Sequence, residues 1–184
     1  MDNTKRGGVY LCCPRKYCHL GVSQIGVREL TSRGVKAVLL DLDNTLVPWQ
    51  RHEVSDAVRD WLSELKENGI KLCLISNTRF GKRLKKLSEE LDIPYIRHAW
   101  KPGKRGFVSA LKELDVSPTD TVMVGDQMFT DVLGGNRLGI YTVMVKPIAR
   151  KEFVGTKVSR VAEWALLSWF RRCGVLQEDD APSS

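Results

Sequence analysis

Two aspartates with one residue between them, Asp41 and Asp43, follow an aliphatic run in the segment KAVLLDLDNTLVPW (residues 36–49). Every position from Ala37 to Leu40 is apolar, which is typical of a strand that is covered on both faces in a parallel sheet. A carboxylate at the end of such a strand loses its hydration, and this is unfavourable unless a positive group lies beside it. Aspartates after a strand also stabilise turns, so this segment alone leaves both interpretations open.

Polar residues stand at equivalent positions elsewhere in the chain. Apolar runs predict strands over 36–41, 70–76, 94–99, 120–126 and 140–145, and they alternate with helices predicted over 27–32, 53–68, 80–91, 105–114, 130–138 and 158–170. The alternation predicts an α/β fold, a Rossmann-like parallel sheet with helices on both faces. Ligands bind such sheets outside the carboxyl ends of the strands. The polar residues expected at that edge, besides Asp41 and Asp43, are Ser76, Asn77, Lys101, Asp126 and Asp131.

These residue types together predict phosphoryl-transfer chemistry. Four carboxylates at one edge require a cation, and hard oxygen ligands favour Mg²⁺. A lysine, a hydroxyl and an amide supply hydrogen-bond donors for phosphoryl oxygens. One aspartate can attack phosphorus and form an aspartyl-phosphate that water hydrolyses. A second carboxylate can protonate the leaving alkoxide and then deprotonate the water.

Four segments carry a family resemblance. DLDNT, LISNT, WKPGK and VGDQMFTD resemble, in this order, motifs I to IV of the haloacid dehalogenase superfamily. DLDNTLVPW and GDQMFTDVLGGNRLGIYT are similar to the YqeG branch of its subfamily IIIA, which is related to mitochondrial phosphatidylglycerophosphate phosphatases. The resemblance extends from about Pro14 to about Arg160. It implies a haloacid dehalogenase-like fold and an Mg²⁺-dependent phosphomonoesterase.

The resemblance also implies a role for each residue. Asp41 would be the nucleophile and Asp43 the general acid and base, an aspartate that phosphatases of the superfamily have and its dehalogenases and P-type ATPases lack. Ser76 and Asn77 would bind the phosphoryl group. Lys101 would stabilise charge on the nucleophile and the phosphate, with Lys104 as the second candidate. The implied Mg²⁺ ligands are the carboxylate of Asp41, the backbone carbonyl of Asp43 and Asp126, with Asp131 supporting them from the outer shell.

Members of this superfamily often carry a cap domain, for which the intervals between these motifs leave no room. We therefore expect an open site, which suits a phosphate on a membrane or another large molecule. The basic segment RFGKRLKKL (79–87) and the segment VSRVAEWALLSWFRRCGVL (158–176) would suit a peripheral membrane contact. A solvated helix face and a core-packing helix are the alternatives. Phosphatidylglycerophosphate is the favoured substrate; a soluble phosphoester, a phosphoprotein, or a non-catalytic phosphate-binding role are the alternatives.

Composition sets the remaining expectations. The 184 residues predict one domain over 1–176, with an N-terminal extension over 1–20 and a disordered acidic tail over 177–184. The net charge of +7 attracts anions, but no aromatic-basic motif predicts specific nucleic-acid binding. We expect a cytoplasmic protein or one bound at the inner face of the membrane, because neither a signal peptide nor a spanning segment is recognisable. Cys12, Cys13 and Cys18 lack a second ligand pair, which favours reduced thiols over a zinc site.

Overall fold

The strands form one parallel sheet. The computed structural model describes residues 16–18, 21–49, 51, 53–78 and 81–149. The strands within them are β1 (Lys16–Cys18), β2 (Ala37–Leu40), β3 (Lys71–Ile75), β4 (Tyr95–Ile96), β5 (Thr121–Gly125) and β6 (Tyr141–Val145). Their spatial order is β1-β6-β5-β2-β3-β4, and every pairing is parallel. The central strand β2 therefore lies between β5 and β3, so that the residues following these three strands meet at one edge.

Helices alternate with the strands, as the apolar periodicity predicts. They are α1 (Val27–Ser32), α2 (Asp56–Glu67), α3 (Gly81–Leu91), α4 (Lys104–Leu114) and α5 (Leu133–Asn136). Short 3-10 turns occupy Val22–Gln24 and Pro118–Asp120, and a π-helical turn, Met128–Val132, precedes α5. The predicted parallel α/β architecture is confirmed.

Three local expectations differ from the structure. The strand predicted over 94–99 is limited to Tyr95–Ile96, and the helix predicted over 130–138 begins instead as the π-helical turn. The edge strand β1 has no counterpart in the prediction. It lies inside the segment assigned to an N-terminal extension and pairs with β6, from Lys16 opposite Val143 to Cys18 opposite Val145. Three residues are too few to show an apolar period, so only the pairing reveals this strand.

The two faces of the sheet are covered by different helices. Successive strand residues point to opposite faces. Val38 and Leu40 accordingly belong to a buried cluster with Trp61 of α2, whereas Leu39 belongs to a second cluster with Phe107 of α4. A strand buried on both faces is rigid, and this rigidity holds the loops at its carboxyl end in place.

No additional domain interrupts the described ranges, since residues 41–55 link β2 to α2 and residues 97–103 link β4 to α4. The absence of a cap domain agrees with expectation over this part of the chain. Within the same ranges, no helix combines the length and apolar character needed to cross a membrane. Several features considered in the sequence analysis lie outside the described residues: the predicted helix over 158–170, the tail over 177–184, Cys12, Cys13 and the side chain of Cys18.

Candidate active site

Three of the predicted aspartates meet at the carboxyl edge of the sheet. Asp41 follows β2, and its backbone N–H donates to the carbonyl oxygen of Val124 at 3.0 Å, which extends the pairing with β5. Asp126 directly follows β5. Carboxylate oxygens of Asp41, Asp126 and Asp131 lie within 4.8 Å of one another, and all three residues are buried. The parallel sheet thus joins groups that are far apart in the sequence.

Lys101 lies among these carboxylates. Its Nζ donates to Oδ1 of Asp41 at 2.5 Å and to Oδ1 of Asp131 at 2.6 Å. The residue is only 6% exposed. Lys104, the second candidate for the lysine role, is exposed at the first position of α4. The structure therefore places Lys101, and not Lys104, in contact with the predicted nucleophile.

Asn77 contacts the backbone of Lys101 through both ends of its side-chain amide. Its Nδ2 donates to the backbone carbonyl of Lys101 at 2.9 Å, and its Oδ1 accepts the backbone N–H of Lys101 at 2.8 Å. Both ends of the amide therefore position Lys101, while Nδ2 keeps a second proton, so that phosphate binding by Asn77 stays a prediction. Ser76 is buried at the end of β3, where its hydroxyl accepts the N–H of Thr78 at 3.1 Å. This leaves the hydroxyl proton of Ser76 available for a phosphoryl oxygen.

A glycine makes room for Asp131. The π-helical turn brings Oδ2 of Asp131 within 3.2 Å of the backbone N–H of Gln127, which donates to it. A Cβ atom at Gly125 would lie 2.2 Å from the same oxygen. Any side chain at position 125 would therefore displace the carboxylate that holds Lys101.

The buried charges do not balance without a cation. When ionised, the three carboxylates and the ammonium of Lys101 leave two negative charges. Burial is the main cause that raises the pKa of Asp41 to about 7; the charges of Asp131 and Asp43 act in the same direction, and the attraction of Lys101 opposes them. Burial disfavours the Lys101 ammonium, yet the charges of Asp131 and Asp41 outweigh this and raise the pKa of Lys101 above its ordinary value.

The donor set fits a divalent cation. Oδ2 of Asp41 is buried and has no hydrogen-bond donor among the described residues. Asp126 completes an all-oxygen set with Asp41 and Asp131, and its Oδ1 accepts the hydroxyl of Thr45 at 3.3 Å. A hard divalent ion would compensate the two negative charges and occupy the unsatisfied oxygen of Asp41.

Asp43 lies apart from the carboxylate cluster. Its side chain is 13% exposed and forms an ion pair with Arg83 of α3. The carboxylate therefore faces a cation of the protein. It is not among the carboxylates that lie within 4.8 Å of one another, and the acid and base role of Asp43 stays a prediction.

Comparison with known proteins identifies the family. A family model described as mitochondrial PGP phosphatase matches residues 11–149. The chain belongs to this family. The probable phosphatase YqeG of Bacillus subtilis is 39% identical over 159 residues, which cover 86% of this chain and 92% of that protein. The chloroplastic/mitochondrial phosphatidylglycerophosphate phosphatase 1 of Arabidopsis thaliana is 29% identical over 153 residues, covering 78% of this chain and 44% of that protein.

Solved structures agree with the fold of this PGP phosphatase family member. An uncharacterized protein from Listeria monocytogenes serotype 4b superposes with a TM-score of 0.51 at 22% identity, over 73% of this chain and 99% of that chain. The putative haloacid dehalogenase-type hydrolase YfnB from Bacillus subtilis also gives 0.51, at 13% identity, over 66% of this chain and 91% of that chain. The family match and the fold together make the chain a haloacid dehalogenase-type phosphatase, a phosphoric monoester hydrolase.

Sequence reasoning missed one contact of this phosphatase. Arg83 belongs to the basic segment for which a membrane contact and a solvated helix face were the alternatives, and it contacts Asp43. A signal was present in the spacing, because Arg83 precedes the buried Leu87 by four residues and so lies near the inward side of α3. Lys82, Lys85 and Lys86 on the same helix are exposed.

Proposed function

We propose that this phosphatase is Mg²⁺-dependent, acts through an aspartyl-phosphate at Asp41, and removes the terminal phosphate of phosphatidylglycerophosphate. The observation that carries the proposed mechanism is the buried contact of Lys101 with Asp41, inside a set of carboxylates with two uncompensated negative charges. A site that only binds phosphate has no need to bury a carboxylate where the anion must approach, because the two negative charges repel each other.

The residues of the chain divide the reaction into two steps. In the first, an oxygen of Asp41 attacks phosphorus, the bond from phosphorus to the glycerol oxygen breaks, and Asp43 gives its proton to that oxygen. In the second, Asp43 takes a proton from water, whose oxygen attacks phosphorus and releases inorganic phosphate from Asp41. Lys101 and the hydroxyl of Ser76 stabilise the phosphoryl oxygens in both steps. Asp41, the Asp43 carbonyl and Asp126 would hold Mg²⁺, with Asp131 supporting them from the outer shell, and the ion would neutralise charge on the transferring group.

Two observations support a lipid substrate. The family model is described as a PGP phosphatase, and the Arabidopsis relative is named a phosphatidylglycerophosphate phosphatase. Two apolar side chains near the carboxyl edge of the sheet are also exposed: Trp100, directly before Lys101, by 74%, and Ile148, after β6, by 45%. The backbone N–H of Ile148 donates to Asn44 at 2.9 Å, which places it beside the loop that follows β2. Exposed apolar residues at the rim of a site suit a substrate that lies in a bilayer.

Phosphate release by the purified protein tests this function. The substrates are phosphatidylglycerophosphate in mixed micelles and p-nitrophenyl phosphate, each assayed with Mg²⁺ and with EDTA. We expect Mg²⁺-dependent turnover that is much faster on the lipid and is lost in Asp41→Asn, with Asp60→Asn on the exposed face of α2 as the matched control. Turnover of p-nitrophenyl phosphate alone would support the proposed phosphatase mechanism and reject the lipid as the substrate. Undiminished release by Asp41→Asn would reject the mechanism.

A further inference from the structure

Arg83 makes three contacts through its guanidinium group. Nη1 donates to Oδ1 of Asp43 in a close ion pair. Nε donates to the backbone carbonyl of Arg51 at 2.7 Å, and Nη2 to that of Pro48 at 3.4 Å. The side chain of Arg83 is 10% exposed. One guanidinium therefore ties helix α3, which follows the phosphate-binding Ser76, to the loop that carries Asp43.

The neighbouring cations of α3 behave differently. Lys82, Lys85 and Lys86 are exposed, and Lys85 forms a pair with Glu89 at 3.6 Å in which both side chains are about two-thirds exposed. Such a pair contributes little to stability. Among the described cations of this segment, Arg83 is thus the one that is withdrawn from solvent and held by fixed acceptors.

The geometry points to Arg83 as a positioning residue for proton transfer to the leaving group, a role that rests on the proposed function of Asp43. Because Arg83 engages Oδ1 of Asp43, the other oxygen, Oδ2, is the one left to deliver a proton to the departing oxygen. When the phosphorus–oxygen bond breaks, that oxygen keeps the bonding electron pair and receives this proton. The two backbone carbonyls hold the guanidinium, so the carboxylate cannot rotate away. A cap domain, absent from the described ranges, is not needed to orient it.

A lysine could not replace this arginine. An ammonium is a point charge on a flexible stem, whereas the planar guanidinium offers donors in fixed directions to a carboxylate and to carbonyls at once. Arg83→Lys should therefore keep the charge but lose much of the positioning. Arg83→Met should lose both while keeping most of the apolar volume of the stem.

The dependence on the leaving group separates positioning from a structural role. An alkoxide needs a proton to depart and p-nitrophenolate does not, so kcat/KM is measured for sn-glycerol 3-phosphate and for p-nitrophenyl phosphate. For each ester, kcat/KM reports the reaction up to and including departure of the leaving group, which is the first step. We expect Arg83→Met to lower kcat/KM for the alkyl ester at least about tenfold more than for the aryl ester, as partial loss of an acid catalysis worth about 10²–10⁴. Lys85→Met, on the same helix, should leave both values unchanged.

A double-mutant cycle completes the test. Asp43→Asn should show the same preference for the aryl ester, and adding Arg83→Met to it should cause little further loss, because Arg83 acts through Asp43. Equal losses on the two esters in Arg83→Met, or additive losses in the double variant, would overturn the positioning role. If Asp43→Asn itself loses both activities equally, the proposed function of Asp43 is wrong. If Arg83→Met does not fold, Arg83→Lys replaces it in the same cycle. Equal losses on the two esters, or additive losses with Asp43→Asn, would again overturn the positioning role.

Discussion

The ammonium of Lys101 lies 2.5 Å from Oδ1 of Asp41, and the two side chains are only 2% and 8% exposed. Such a pair is stable only if the remaining charges around it are also compensated. Because Asp131 shares the same ammonium and Asp126 lies within reach, the site combines a permanent cation with a place for an exchangeable one. The consequences of this arrangement can be measured.

Lys101→Met should lower turnover strongly, whereas Lys104→Met should not. Lys101→Met removes the buried cation beside Asp41, the proposed nucleophile, and loss of a comparable charge-stabilising group reduces kcat about 10²–10³-fold. Lys104 is exposed at the start of α4 and has no contact with the carboxylates. Release of p-nitrophenolate under saturating Mg²⁺ measures both variants. Equal losses of turnover in Lys101→Met and Lys104→Met would show that a positive charge near the site matters, whereas the buried position of Lys101 does not.

Gly125→Ala should reduce both activity and stability. Its Cβ would lie 2.2 Å from Oδ2 of Asp131, so the carboxylate must move and release Lys101. Overpacking of this kind destabilises by about 1–3 kcal/mol. Gly21→Ala is the matched control, because a Cβ there meets nothing within 4 Å and the backbone φ of −70° suits any residue. Thermal unfolding and phosphatase assays on both variants decide, and a fully active Gly125→Ala would contradict the role given to Asp131.

The metal-free protein should lose stability as the pH rises from about 4 to 7. The pKa of Asp41 is raised from 3.8 to about 7 in the folded state, so over this interval the folded protein keeps a proton that the unfolded chain has released. Folding is therefore favoured at the lower pH, with a slope of at most about 1.4 kcal/mol per pH unit for one proton.

Comparison with Asp41→Asn isolates this contribution. In EDTA, the wild-type protein should lose unfolding free energy relative to Asp41→Asn as the pH rises from about 4 to 7, because the asparagine has no proton to release. Saturating Mg²⁺ should reduce the change, because the ion favours the ionised carboxylate. Parallel stability curves in EDTA would show that Asp41 keeps its ordinary pKa.

Trp100→Ala should impair activity on a bilayer and spare activity in solution. Trp100 has a left-handed conformation (φ 52°) between the buried Ala99 and Lys101, which directs its side chain to solvent. Losing the burial of such a side chain in lipid should lower kcat/KM on phosphatidylglycerophosphate in anionic vesicles about tenfold. Hydrolysis of p-nitrophenyl phosphate should stay near the wild-type rate. Val108→Ala is the control, since Val108 is 50% exposed but lies further along α4. Equal losses on both substrates would exclude a bilayer contact at Trp100.

The strands and the general place of the site could be predicted from local patterns. Apolar runs such as Ala37–Leu40 are buried at all positions, and a parallel sheet necessarily brings the ends of its strands to one edge. Asp41 and Asp126 could therefore be assigned to one site before any contact was known. The short edge strand Lys16–Cys18 could not, because its existence depends on pairing with β6.

The sequence by itself determined most of the elements, the parallel α/β class and the chemical type of the site, because local periodicity and motif spacing carry that information. Only the tertiary structure decided which polar groups meet: Asn77 holds the backbone of Lys101, Asp131 fits against Gly125, and Arg83 pairs with Asp43. Arg83 and Asp43 are 40 residues apart. Contacts of this kind depend on how packed elements orient their loops, and residues such as Trp100, with a positive φ, point where no strand or helix period would place them.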